Sequence, residues 1–269
     1  MFFKKLCAAA AMMTVAASSF AGDLVINGST TVLPIVQKAT EAFVKENPQV
    51  SVSLSGGGSG NGIKALVDGL TTIAMSSRDI KASETALAKK NNITPYRIAV
   101  AVDAIVPIVH NGKAVKRLTM AQLKSIYEGK IKNWKEVGGE DAAIVVVSRD
   151  SSSGTFETWE ELVMKKARVT PRALLQTSNG TVVQTVAKIK NAIGYIGIGY
   201  VDNQTQALVI DGKKATAESA KSKTWPLARE LYFFTIGEPK GDAKLFVDYM
   251  LDPAKGQKCV SETGFVPLK

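Results

Sequence analysis

The residues with the most chemical potential lie in one short stretch, Arg149-Asp150-Ser151-Ser152-Ser153-Gly154-Thr155. A guanidinium, several hydroxyls and a glycine in one loop suit the binding of an anion. The apolar run Ile144–Val147 precedes the loop and reads as a buried strand. Phe156–Met164 follows it with the spacing of an amphipathic helix. The loop therefore sits where a strand ends and a helix begins. There, backbone N–H groups lack intrahelical partners and the helix dipole presents its positive end. Ser153 and Thr155 add hydroxyls, Gly154 lets a ligand approach the backbone, and Arg149 adds charge, which together make an oxyanion cradle. For this loop alone, a capped helix with a surface arginine is an equal alternative.

Two upstream loops share the design. Gly28-Ser29-Thr30-Thr31 follows a strand at 23–27 and leads into a helix that carries Pro34 near its start. Gly58-Ser59-Gly60-Asn61-Gly62 follows the alternating strand 50–54 and precedes a helix beginning at Ile63. It lacks the Gly-Lys-Ser/Thr ending and the G-x-G-x-x-G spacing of nucleotide loops. Plain capping and a flexible turn are the alternatives for these two. In open α/β sheets, loops at the carboxyl ends of strands converge on one ligand. Ser77 and Arg78 end another strand, 72–75.

Asp103 interrupts the apolar centre of Tyr96–Val109, where an unpaired carboxylate is costly. Either it forms a structural salt bridge to Arg78 or Arg149, or it accepts a hydrogen bond from a protonated oxyanion. Monohydrogen phosphate carries such a hydrogen and sulfate does not, so Asp103 would repel sulfate without compensation. Arg78 either pairs with Asp103 or touches the anion itself. Asp79 and Asp150 are read as solvent-facing.

Other chemistries lack residues. Histidine occurs once, at His110, and cysteine twice, at Cys7 and Cys259, which argues against the usual zinc sites. A hydrolase using Ser153 or Thr155 would have only His110 as a histidine base, and no dense Asp/Glu/His set suits a metal phosphatase. No cofactor or metal is expected. Trp134, Trp159 and Trp225 read as packing residues. The net charge of +10 is spread along the chain without an arginine-rich run, so it reads as a field favouring anions, with no nucleic-acid partner.

The first residues read as a secretory signal: Lys4 and Lys5, an apolar stretch Leu6–Ala17, then Ser19-Phe20-Ala21. Cleavage is expected after Ala21, giving an exported, periplasmic protein. Losing those two lysines from 34 basic residues, against 24 acidic, leaves a charge of +8. Strands and helices alternate beyond that point, which indicates an α/β fold with a largely parallel sheet. Further helices are read at 84–90, 118–127, 181–190 and 243–251, and glycine-spaced strand at 193–200. The long strand at 96–109 can cross between two lobes, with 231–235 as the return. Lobe limits of 22–102 plus 230–269, and 103–229, follow.

Taken in order, Gly28-Ser29-Thr30-Thr31 with Pro34, the Gly/Ser loop 56–62, Met75-Ser76-Ser77-Arg78, Gly129–Gly138 and Arg149-x-x-x-Ser153-Gly154-Thr155 resemble the periplasmic phosphate-binding proteins of ABC transporters. The resemblance covers nearly all of the mature chain. It implies a two-lobed periplasmic-binding-protein fold of type II, with phosphate in the inter-lobe cleft. A membrane permease is the expected partner, and the chain is expected to be a monomer without enzymatic activity. Thr30, Thr31, Ser59, Ser77, Arg149, Ser153, Gly154 and Thr155 are the implied phosphate site, and the reading of the residues themselves adds Ser29, Arg78 and Asp103 to it. Some family members carry an aspartate acceptor at the position matching Ser77; here Asp103 is the replacement. The alternatives are a binder of sulfate, molybdate or tungstate, and a secreted hydrolase.

Overall fold

The computed structural model describes residues 24–268; the signal-peptide reading lies outside the described residues. Among them, no helix is long and apolar enough to cross a membrane.

The chain begins with strand β1 (Leu24–Gly28), helix α1 (Leu33–Glu46), β2 (Val52–Gly56), α2 (Ser59–Val67), β3 (Ile73–Ser76) and α3 (Ala82–Lys90). Ile35, Val36, Ala39 and Phe43 recur at helical spacing on α1 and are its buried face. The long strand β4 (Pro95–His110) follows, then β5 (Arg117–Leu118), α4 (Met120–Tyr127), β6 (Val145–Arg149), α5 (Gly154–Leu162), β7 (Leu174–Gln176) and α6 (Asn179–Lys188). The chain closes with β8 (Ala192–Gly197), β9 (Thr205–Ala207), β10 (Val209–Ile210), α7 (Ala217–Lys221), β11 (Ala228–Ile236), α8 (Gly241–Leu251) and α9 (Gly256–Glu262).

The main sheet runs β2-β1-β3-β11-β4-β8-β6-β7, with β9 added to β4. Its flanks are parallel: β1 with β2 and β3, and β6 with β7 and β8. Its centre is antiparallel, because β11 pairs against both β3 and β4, and β4 against β8. The largely parallel sheet expected from strand–helix alternation therefore holds for each flank but not for the centre. There, two long strands run in opposite directions between the halves. β4 pairs with β11 through Ala104 and with β8 from Ile105 onward.

Two main cores form on either side of this changeover. One gathers Leu24, Ile26, Phe43, Phe233, Phe246 and residues around them. The other gathers Ile105, Trp134, Trp159, Tyr195 and Trp225 with their neighbours. The three tryptophans are packing residues, as expected. The architecture is thus the two-lobed α/β fold, with the antiparallel strands between the lobes.

Several local readings shift. The glycine loop 56–62 is not a flexible turn: Ser59–Gly62 is the first turn of α2. Its glycines answer steric need, since a Cβ on Gly62 would stand 2.6 Å from the Gly28 Cα. The expected strand 193–200 ends at Gly197 and continues as a 3-10 turn, Ile198–Tyr200. The polar helix α7 and the short edge strand β7 lacked a periodic apolar signal.

Phe43 meets Phe246 edge-on at 5.0 Å and Tyr249 at 5.3 Å. Phe43→Ala should therefore destabilise the protein by about 3–5 kcal/mol. Urea unfolding would show it, and a loss below about 1 kcal/mol would contradict this packing.

Candidate functional site

Four helices point their N-termini at one buried region: α1, α2, α5 and α6. Three were anticipated from their loops. The fourth, α6, carries the hidden contributor Asn179.

The loop Gly28–Thr31 turns tightly. Gly28 has φ +135°, and any Cβ there would collide with the Met75 carbonyl oxygen. The Ser29 hydroxyl accepts the Thr31 amide at 3.1 Å and the Val32 amide at 3.4 Å. Ser29 therefore shapes the turn, while Thr30 and Thr31 aim at the other half of the molecule. Thr31 Oγ1 lies 3.0 Å from Thr155 Oγ1, at the start of α5. Asn179 Nδ2 donates to Thr31 Oγ1 at 3.1 Å, and its Oδ1 accepts the Gly197 amide at 3.1 Å. The Tyr200 hydroxyl donates to the Thr30 carbonyl at 2.6 Å.

From the second loop, Ser59 Oγ accepts the Ser77 amide at 3.0 Å and lies 3.3 Å from Ser77 Oγ. These hydroxyls press against Gly154: a Cβ there would be 2.4 Å from Ser59 Oγ and 2.8 Å from Ser77 Oγ. The Gly60 amide donates to the Ser152 carbonyl at 2.9 Å, joining the two glycine loops directly. Ser153 Oγ accepts the Phe156 amide at 3.2 Å and caps α5. Asp150 accepts the Ser152 amide at 2.9 Å and so shapes its own loop; it is half-buried rather than solvent-facing.

Arg149 ends β6 and is almost completely buried. Its Nε donates to the Gln176 carbonyl at 3.0 Å, and its Nη2 to the Thr177 carbonyl at 2.9 Å and to Thr30 Oγ1 at 3.2 Å. All of these acceptors are neutral. Its Nη1 is buried with no protein partner. Burial lowers the Arg149 pKa. Tyr195 supports the strand end: its hydroxyl lies 2.9 Å from Ser148 Oγ and accepts the Arg149 amide at 3.2 Å. Its ring stacks on Trp159 at 4.1 Å.

Asp103 is fully buried and does form an ion pair, but with neither of the arginines considered from the sequence. Its partner is Arg229, whose Nη2 lies 2.7 Å from Asp103 Oδ2. Arg229 also donates to Thr155 Oγ1 at 2.9 Å. The other carboxylate oxygen accepts the Ile198 amide at 2.9 Å. Burial raises the Asp103 pKa, opposed by the Arg229 guanidinium and by backbone amides.

Arg78 stands apart. Its guanidinium engages Glu84 at 2.7 Å and Glu157, so two carboxylates satisfy it. The structure therefore pairs Arg78 neither with Asp103 nor with the threonine–Arg149 cluster. Instead it ties β3 to α5, and Lys81 joins Glu157 at 3.0 Å. Asp79 faces solvent beside Arg97, as expected. His110 sits half-buried opposite Thr205 on β9 and makes no hydrogen bond to Ser153 or Thr155, so the base a triad needs is not in place. Among the described residues, no group of His, Cys, Asp and Glu could hold a metal ion.

The sequence reading missed Arg229, Asn179 and Tyr200. Arg229 lies in a crossing strand rather than a glycine–hydroxyl loop. Asn179 opens α6 behind a Ser178 cap, with no glycine–hydroxyl loop to mark it. The remaining signal was charge bookkeeping: the buried Asp103 needed a cation, and Arg229 was available.

The assembled site encloses hydroxyls, amides and two guanidiniums against one carboxylate. This is the constitution of a binding site for a small oxyanion, held inside a two-lobed binding protein. Comparison with known proteins agrees. Residues 14–254 match the model of the PBP superfamily domain. The chain is 33% identical to the phosphate-binding protein PstS of Bacillus subtilis, over 92% of this chain and 81% of that one. A Clostridium perfringens substrate-binding protein assigned to a phosphate ABC transporter, solved with bound phosphate, superposes with a TM-score of 0.86. It is 36% identical, over 92% of this chain and all of that one. An ABC-type phosphate transport receptor from Vibrio cholerae gives a TM-score of 0.75 at 31% identity, over 91% and 99% of the two chains. The chain belongs to the PBP superfamily and, within it, to the family of PstS-type phosphate-binding proteins.

Burial pushes the phenols of Tyr195 and Tyr200 up to about 12. A raised folded-state value contributes stability below the unfolded value of about 10, and that stability is lost as pH rises through about 12. Alkaline difference spectroscopy should find both phenols protonated near pH 10.5; replacing either with Phe should leave the signal at that pH unchanged. A drop on replacement would contradict the buried, bonded geometry.

Proposed function

We propose that this protein is an exported solute-binding protein that captures inorganic phosphate and delivers it to an ABC transporter permease. The reading is carried above all by Arg149. A buried guanidinium with only neutral acceptors around it, facing converging hydroxyls and helix N-termini, requires an anionic counterpart. The relatives' names and the phosphate-bound neighbour support phosphate as that anion. The N-terminal pattern supports export. No bond needs to be broken: the donors recognise the ligand and lobe closure removes it from water, which strengthens each contact.

In this reading Thr30, Thr31, Ser59, Ser77, Arg149, Thr155 and the amides at Gly154 and Thr155 surround the phosphate. Ser29 and Ser153 hold the loops that present them. Asp103 accepts the hydrogen of monohydrogen phosphate and disfavours sulfate. Arg78 acts outside the anion shell, as a strut between the halves. Lobes at 22–102 plus 230–269, and at 103–229, are supported by the composition of the two main cores.

Calorimetric titration of the mature protein, unfolded and refolded to strip ligand, tests this directly. Tight one-to-one phosphate binding and weak sulfate binding are expected, and silence toward phosphate would overturn the proposal. Arg149→Met should weaken phosphate binding by about 2–5 kcal/mol, because it removes a buried charged partner. Gly154→Ala should block binding while preserving the fold, since its methyl would meet Ser59 and Ser77 from the opposing half. Unchanged affinity in Gly154→Ala would show that the two halves do not close on the ligand as described.

A further inference from the structure

Arg229 and Asp103 stand directly opposite each other on β11 and β4, the antiparallel strands between the halves. Arg229 Nε donates to Asp103 Oδ2 at 2.8 Å, and Nη2 approaches the same oxygen at 2.7 Å. That Nη2 also donates to Thr155 Oγ1 at 2.9 Å, while Nη1 is buried with no protein partner. One guanidinium thus fixes the carboxylate and engages a hydroxyl at the mouth of α5. The other carboxylate oxygen, Oδ1, occupies the space over Gly197 that it shares with Thr31. A Cβ on Gly197 would be 3.0 Å from Oδ1 and 2.9 Å from the Thr31 methyl. The absent side chain is what lets Asp103 lie beside Thr31.

We propose that Arg229 sets the anion specificity of this site as a positioning residue. It holds the Asp103 carboxylate charged and fixed beside the Thr31–Thr155 pair, so the site accepts an oxyanion that carries an acidic hydrogen and rejects one that carries none. This rests on the phosphate reading above and adds to it the residue that makes Asp103 an acceptor.

The reasoning is one of charge and hydrogen-bond direction. A fully buried carboxylate without a cation either remains charged at high cost or takes up a proton. Burial already drives Asp103 toward the protonated form, and Arg229 opposes it. An ionised carboxylate only accepts hydrogen bonds, whereas a protonated one donates. Loss of the guanidinium would thus turn the group that repels sulfate into one that can bond to it. Other charged or titratable groups face or flank this pair. Tyr200, from the 3-10 turn, and Tyr195, from β8, ionise only at about 12. Arg149 on β6 is a guanidinium, which keeps its charge. Glu230, next on β11, turns to the Tyr232 hydroxyl at 3.0 Å. Asp103 is therefore the group that titrates when Arg229 is removed.

The test uses the refolded mature protein and its Arg229→Gln, Arg229→Lys, Asp103→Asn and Asp103→Asn/Arg229→Gln variants. Each is titrated with inorganic phosphate and with sulfate between about pH 6 and pH 8.5, after thermal unfolding shows that it is folded. The parent is measured first; if it does not bind phosphate, the functional reading fails and this inference falls with it. With phosphate binding established, Arg229→Gln should narrow the phosphate-to-sulfate affinity ratio by about tenfold or more at neutral pH, with the ratio recovering as pH rises and Asp103 ionises. Arg229→Lys should keep much of the ratio. The double variant, which buries no unpaired charge, should match Asp103→Asn alone. If Arg229→Gln weakens both anions equally at every pH, Arg229 serves binding or stability but not specificity. If Arg229→Gln does not fold, a double variant with the parent's ratio overturns the proposal just as clearly.

Discussion

The structure depends on keeping one guanidinium charged where almost no water reaches it. Arg149 is buried at the end of β6, and its protein acceptors are two backbone carbonyls and a threonine hydroxyl. Neutral acceptors stabilise a cation less than a carboxylate would. The surrounding elements are arranged around that deficit. Helix N-termini bring positive dipole ends and unpaired amides to the same place, which makes sense only if a negative ligand completes the set. The second guanidinium, Arg229, brings its own carboxylate, Asp103, so that pair adds no net charge.

Closure is enforced sterically as well as electrostatically. Gly58, Gly60 and Gly154 sit where the two halves meet, and a Cβ at Gly58 or Gly154 would strike the opposing loop. The Gly60–Ser152 backbone bond and the Tyr200–Thr30 bond close the contact on two sides. Arg78, Glu157 and Lys81 bridge it at a third position. A mostly buried ion pair of this kind contributes little net stability against the hydrophobic alternative, but it is costly to break once formed. It therefore favours one defined closed geometry more than it favours tight closure as such.

Much of this was legible in the sequence, for identifiable reasons. The three glycine–hydroxyl loops combine a local turn signal with a helix start, and both are short-range properties. The stripe on α1 and the apolar run of β4 were visible as periodicity and length. The missed features are long-range. The pairing of Asp103 with Arg229 depends on β11 returning beside β4, and no local pattern encodes that register. Arg78 looked like a ligand residue because it follows Ser77, but Glu84 and Glu157, one a helix away and one in the other half, claim its charge. The glycines at 58–62 looked like flexibility, whereas they mark close approach of two backbones. Asn179 enters through a helix start with no glycine loop before it.

The central claim is that one oxyanion is enclosed between the two halves by Arg149 and the hydroxyls around it. The most direct measurement is a high-resolution crystal structure of the mature protein refolded in the presence of phosphate. The account predicts a single phosphate buried against the Thr31 and Thr155 hydroxyls, with oxygens within hydrogen-bond reach of Arg149 Nη1 and one oxygen facing the Asp103–Arg229 pair. Phosphate bound elsewhere, with the Arg149 guanidinium engaged by protein or solvent alone, would contradict it.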